Sequence, residues 1–168
     1  MEAIENILSR NSVRRYLEKE VSQADIETIL KCAMAAPTGK NVRDWEFVVV
    51  KNKETLSSIA EALPFAKMLP ACSVAITVCA DETKSDYWFV NASAAAQNIL
   101  LACNALGLGA VWATAYPYEE RMDFVSKALN LPENIKPLCI IPIGYPATEP
   151  KLKDKFIPAK IHLETFKA

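Results

Sequence analysis

The sequence predicts an α/β-type sandwich, a sheet covered by helices on both faces. Three observations lead there. Stripes of apolar residues at helical spacing alternate along the chain with short apolar runs of strand character. The chain has 168 residues, the size of one domain spanning 1–168. Its composition, 51% hydrophobic and 23% charged, supplies enough apolar surface for a core without disulfides or metal. Layers of helix and strand that each bury one face give a sandwich.

The elements follow in order. Residues 3–9 read as a short helix with Ile4, Ile7 and Leu8 on one face. A second helix starts at Ser22, where Ser22 and Asp25 have capping-box spacing, and continues through Ile26, Ile29, Leu30, Ala33 and Met34 to a stop at Pro37. Residues 45–50 (WEFVVV) form a strand, and a helix at 53–63 carries Leu56, Ile59, Ala60 and Leu63 in register. Residues 73–79 (SVAITVC) compose a buried strand. The Ala-rich stretch 85–106 is the longest helix, closed by Gly107; its apolar character on more than one side places it between layers or subunits. Val111 and Trp112 give a short strand, and 118–129 an amphipathic helix ended near Pro132. Residues 138–143 (LCIIPI) form a strand whose Pro142 places it near an edge or bulge. The charged tail, 147–168, has little core-forming pattern and needs a surface to dock on.

Composition excludes several functions. Nineteen basic against twenty acidic residues give a net charge of −1, unlike a general nucleic-acid binder. No apolar run reaches membrane-spanning length, and the acidic N-terminus lacks the pattern of an export signal, so a cytoplasmic protein is expected. The five cysteines include no C-x-x-C pair and read as small buried hydrophobes in a reducing compartment. One histidine, His162, cannot build a multi-His metal site, and no metal is expected. With four glycines there is neither G-x-G-x-x-G nor a P-loop, so any phosphate must be held by cationic side chains.

Cations occur in two suitable places. In an extended chain alternate residues share a side, which puts Arg10, Ser12 and Arg14 together and Arg15 opposite. Two guanidinium groups and a hydroxyl make an anion grip, although a solvated basic turn has the same spacing. Lys151, Lys153 and Lys155 alternate in the tail in the same way, and there too an ordinary charged surface remains open. The loop 36–45 (APTGKNVRDW), small and polar, joins a capped helix to a strand. The loop Ala113-Thr114-Ala115-Tyr116-Pro117 follows another strand, and its small residues would let backbone N–H groups approach a flat ligand.

Taken in order, these segments resemble the nitroreductase family of FMN-dependent NAD(P)H oxidoreductases over nearly the whole chain. The carrying motifs are Arg10, Ser12, Arg14 and Tyr16; APTGKNVRDW; the long helix ending in Leu-Gly-Leu-Gly with Trp112 after it; Leu131-Pro132; Gly144-Tyr145-Pro146; and Lys153-Asp154-Lys155. The resemblance implies an α+β class, a three-layer α-β-α sandwich with a mixed, mostly antiparallel central sheet, dimeric with an extended C-terminal tail. It implies that Arg10, Ser12, Lys153 and Lys155 hold the FMN phosphate and that Arg14 and Lys67 face the flavin pyrimidine. Pro37, Thr38 and Asn41 would reach the flavin from the other subunit of a homodimer with shared sites, and Ala113 and Thr114 would give backbone contacts. It further implies hydride transfer from NAD(P)H through the flavin to a small acceptor, a nitroaromatic or quinone, by ping-pong chemistry. No side-chain acid or base is required: Arg14 and Lys67 stabilise the negative charge that reduction leaves on the flavin. Arg43-Asp44 departs from the family's Gln-Pro, and Lys155 from its Arg. A dehalogenating or flavin-consuming relative, and a flavin-binding protein without turnover, are the alternative readings.

Overall fold

The computed structural model describes residues 1–149 and 154–166. β2 (Val74–Asp81) is apolar over most of its length and buried throughout, as a strand covered on both faces must be. β1 (Trp45–Val50) flanks it on one side and β5 (Ile135–Gly144) on the other. Beyond β5 lie two two-residue strands, β3 (Gly109–Ala110) and β4 (Ala113–Thr114). Every ladder is antiparallel; the isolated bridge Ser12–Ala110 adds a parallel contact.

The period of two along β2 and β5 divides the core into two layers. Val74, Ile76, Val78, Cys139, Ile141 and Ile143 pack with α2 (Gln23–Met34) and α4 (Trp88–Ala105). Ala75 and Ile140 pack with α3 (Lys53–Ala62) and α5 (Glu119–Ala128). The result is the expected α-β-α sandwich. Ile26 and Ile29 of α2 are 1% and 0% exposed, each burial stabilising by about 1.5–3 kcal/mol. The Ser22 side chain caps α2, accepting the Asp25 N–H at 3.0 Å and donating to the Asp25 carboxylate at 2.7 Å. Asn52 caps α3 in the same way through the Thr55 N–H, at 2.8 Å.

Three local expectations are corrected. Val111 and Trp112 do not pair; the strands lie on either side of them. β5 is internal to the sheet, not an edge, although its ladder with β2 carries an irregularity between Val78 and Cys79, where Cys139 and Pro137 are the successive partners. Its Pro142 sits opposite that break between β3 and β4, where the missing N–H leaves no ladder bond unmade. α4 begins at Trp88, because Ser85 organises a turn that accepts from Tyr87 and Trp88.

Cys72, Cys79, Cys103 and Cys139 are buried, and Cys32 is half-buried. Burial pushes the Cys72 thiol up to about 11 and the Cys79 thiol up to about 12, which keeps them neutral and inert.

Candidate functional site

The Arg10–Leu17 segment is fixed at both ends. It leaves α1 (Ala3–Ser9), whose C-terminal turn is tied to α4. There Asn104 donates to the Asn6 carbonyl, to Asn6 Oδ1 and to Ser9 Oγ at 3.2, 2.8 and 2.9 Å, and Asn6 donates to the Leu101 carbonyl at 3.1 Å. The segment then runs extended across the sheet end. Val13 N–H donates to the Ala110 carbonyl at 3.0 Å, Leu17 N–H to that of Tyr145 at 2.9 Å, and Ala147 N–H to that of Arg15 at 3.0 Å.

This approach requires glycine at two positions. A Cβ on Gly109 would stand 2.6 Å from Val13 Cγ1, and one on Gly144 would stand 2.9 Å from Tyr16 Cδ1. The Tyr16 hydroxyl donates to the Val13 carbonyl at 2.7 Å and also lies 3.2 Å from that of Pro142. Its burial pushes the phenol far above its usual range, so Tyr16 is a structural donor and no proton carrier.

Arg14 and Lys67 meet across a cleft of about 750 Å³, also lined by Arg15, Phe65 and Met68. Lys67 reaches it because Leu63, Ala66 and Leu69 are buried at three-residue intervals and turn the intervening side chains outward. Arg15 shares the cleft, against the alternation expected of a strand. The reason is that two isolated bridges, at Ser12 and Tyr16, hold the segment, and no continuous ladder does. The ion pairs among the described residues are Lys84–Asp81 and Lys136–Glu82, so none of these three cations is neutralised by a carboxylate. The cleft therefore presents uncompensated positive charge, which suits an anionic or electron-rich ligand. A neighbouring groove of about 490 Å³ carries both signs, Glu18 and Glu20 beside Lys19 and Lys51, and its Lys53 is taken up by the carbonyls of Pro70 and Cys72.

A second meeting of expected residues joins the tail to the end of α1. Lys155 Nζ donates to the Arg10 carbonyl at 3.0 Å. Lys153 lies outside the described residues. Ser12 is exposed beside the Ala110 bridge. Ala113 is buried and Thr114 exposed on β4, opposite Ile140 and Cys139. Pro37, Thr38 and Asn41 sit on the loop before β1 and line neither cationic group within one chain.

The sequence reading missed what shapes that loop. Asp44 is fully buried and Asn91 is 3% exposed. Asn91 Nδ2 donates to both Asp44 carboxylate oxygens at 3.0 and 2.9 Å, while its Oδ1 accepts the Gly39 N–H at 3.0 Å. Asn91 continues the buried stripe of α4 through Ala95 and Ile99, so a polar residue in that register was the available signal.

Comparison with known proteins completes the picture. The model of the nitroreductase family matches residues 7–78 and 66–145. A protein of Archaeoglobus fulgidus named "Putative NADH dehydrogenase/NAD(P)H nitroreductase" is 44% identical, across 97% of this chain and 98% of its own. A crystal structure from Bacteroides thetaiotaomicron with the same name is 54% identical and superposes with a TM-score of 0.96 over 98% of both chains. An FMN-dependent nitroreductase of Clostridium difficile is 32% identical, with a TM-score of 0.93 over 97% of this chain and 99% of that one.

Proposed function

Since the chain belongs to the nitroreductase family, we propose that it is an FMN-dependent oxidoreductase that passes hydride from NAD(P)H to a small acceptor in two half-reactions. The observation that carries this reading is the cationic cleft of Arg14, Arg15 and Lys67, uncompensated by any carboxylate among the described residues. The donor set fits the cofactor. FMN is an anion at its phosphate and becomes electron-rich at its pyrimidine edge; the chain offers the Lys155 ammonium at the Arg10 carbonyl, beside the residue that carries the Arg10 guanidinium, and Arg14 with Lys67 on the cleft.

Bound flavin supplies the redox chemistry, accepting and returning a hydride equivalent. Arg10, Ser12, Lys153 and Lys155 bind the phosphate. Arg14 and Lys67 would hold positive charge where reduction deposits negative charge, which lowers the energy of the reduced state. The buried phenol and thiols hold their protons and take no part.

A homodimer belongs to the reading. The chain exposes 10328 Å², whereas a compact monomer of 18.6 kDa would expose about 8,200 Å². Ile4, Ile7 and Leu8 of α1 and Phe156, Ile157 and Ile161 of the tail are all exposed apolar residues. A second copy would cover them and bring Pro37, Thr38 and Asn41 to its neighbour's flavin.

The test is turnover of FMN-reconstituted protein with NADH and with NADPH against a quinone and a nitroarene. Oxidation of either nicotinamide that depends on both FMN and acceptor is the expected result. Bound flavin with no turnover would leave a binding protein in place of an enzyme.

A further inference from the structure

The loop between α2 and β1 is conformationally costly. Lys40, Asn41 and Arg43 have φ of 54°, 55° and 49°, three non-glycine residues in the left-handed region within four positions. Such a backbone persists only where its surroundings over-determine it, and it concentrates at functional sites. Within the loop, Arg43 N–H donates to Thr38 Oγ1 at 3.1 Å and Arg43 Nε to Asn41 Oδ1 at 3.2 Å. What ties the loop to the rest of the molecule is one side chain of α4. Asn91 accepts from Gly39 at the loop's start and donates to the Asp44 carboxylate at its end, and the Asp44 carbonyl accepts the Asp81 N–H at 2.8 Å. The two donations leave a single possible orientation for the Asn91 amide.

A fully buried carboxylate with no cation partner among the described residues is not a packing solution, because an apolar side chain fills such space at lower cost. We propose that Asp44 and Asn91 are positioning residues, a clamp that holds loop 38–43 in its strained form so that Thr38 and Asn41 are presented for flavin binding. The flavin part of this inference rests on the FMN reading above; the clamp itself does not.

The experiment uses full-length wild type, Asp44→Asn, Asn91→Asp and the exchange variant Asp44→Asn with Asn91→Asp. Two quantities are read: hydrogen exchange of the loop amides without FMN, and FMN affinity by fluorescence quenching. Asn91→Asp sets two carboxylates face to face. Faster exchange at Gly39 and Arg43 is expected, with β1 and β2 as in wild type, together with FMN binding weakened about tenfold or more. The exchange variant restores the pair with its charges swapped. The new amide at position 44 then donates to the new carboxylate at position 91, which still accepts the Gly39 N–H. It should recover loop protection and bring FMN affinity to within about threefold of wild type. Wild-type loop exchange in both single variants overturns the clamp, and so does an exchange variant no better than Asn91→Asp. Should Asn91→Asp not fold, Asp44→Asn and the exchange variant decide alone, the first expected to loosen the loop and the second to restore it. A wild-type chain that binds no FMN would sink the oxidoreductase reading, while the exchange measurements would still judge the clamp.

Discussion

Replacing Gly109 by alanine probes how the cationic segment is seated. The new methyl would stand 2.6 Å from Val13 Cγ1, 2.7 Å from its Cβ and 3.0 Å from its Cγ2. Carbon atoms settle at about 3.5–4.0 Å, so the contacts are short by about 0.5–1.4 Å. Rotating Val13 moves its methyls but leaves Cβ in place, so the backbone itself must shift. That shift strains the Val13–Ala110 hydrogen bond of 3.0 Å. Overpacking of this kind costs about 1–3 kcal/mol, which in a chain of this length lowers Tm by about 2–12 °C. The assay is urea denaturation, with an unchanged m-value showing that stability alone has moved. Val13→Gly in the same background removes all three clashing atoms, so the double variant should be more stable than the sum of the single effects by about 1 kcal/mol or more. An unfolding free energy within about 0.3 kcal/mol of wild type for Gly109→Ala, or strict additivity in the double variant, would show that the segment is not seated this closely.

Other outcomes follow from the same structure. Arg14→Ala should weaken FMN binding by about tenfold or more, the loss of one charge-assisted contact, as measured by isothermal titration; unchanged affinity would remove Arg14 from the site. Asp81 accepts from Thr83 Oγ1 at 2.6 Å and from Thr83 N–H at 3.0 Å, which holds its carboxyl below its ordinary value of 3.8. Its stabilisation is therefore complete above that value and fades as pH falls through the lowered one. Asp81→Asn should reduce stability at neutral pH and match wild type in strong acid, as followed by denaturation at a series of pH values. Light scattering should give a mass of twice 18.6 kDa, and a concentration-independent single-chain mass would contradict the shared site.

Local pattern carried most of the fold into view. Helical stripes located α2, α3, α4 and α5 to within a few residues, because each buries a face against the sheet. The strand reading failed where composition misleads: Val111 and Trp112 look like a strand, but the pairing belongs to small residues that admit the 10–17 segment. Pro142 misled because a proline argues for an edge only when the neighbouring strand is continuous. In the site, the cations Arg14, Lys67, Arg10 and Lys155 were legible; Arg14 and Lys67 line one cleft, while Lys155 reaches only the main-chain carbonyl of Arg10. The Asn104–Asn6 tie and the Asn91–Asp44 clamp were not legible. They join residues 98 and 47 positions apart, which no local period encodes.

FMN held by this chain's cations would remain with the protein when free flavin is removed. The most direct test is the visible absorption spectrum of the purified protein after incubation with FMN and passage through gel filtration. Flavin bands should elute with the protein, and Arg14→Ala should retain less of them. Colourless wild-type protein, with all added flavin in the small-molecule fraction, would contradict such binding.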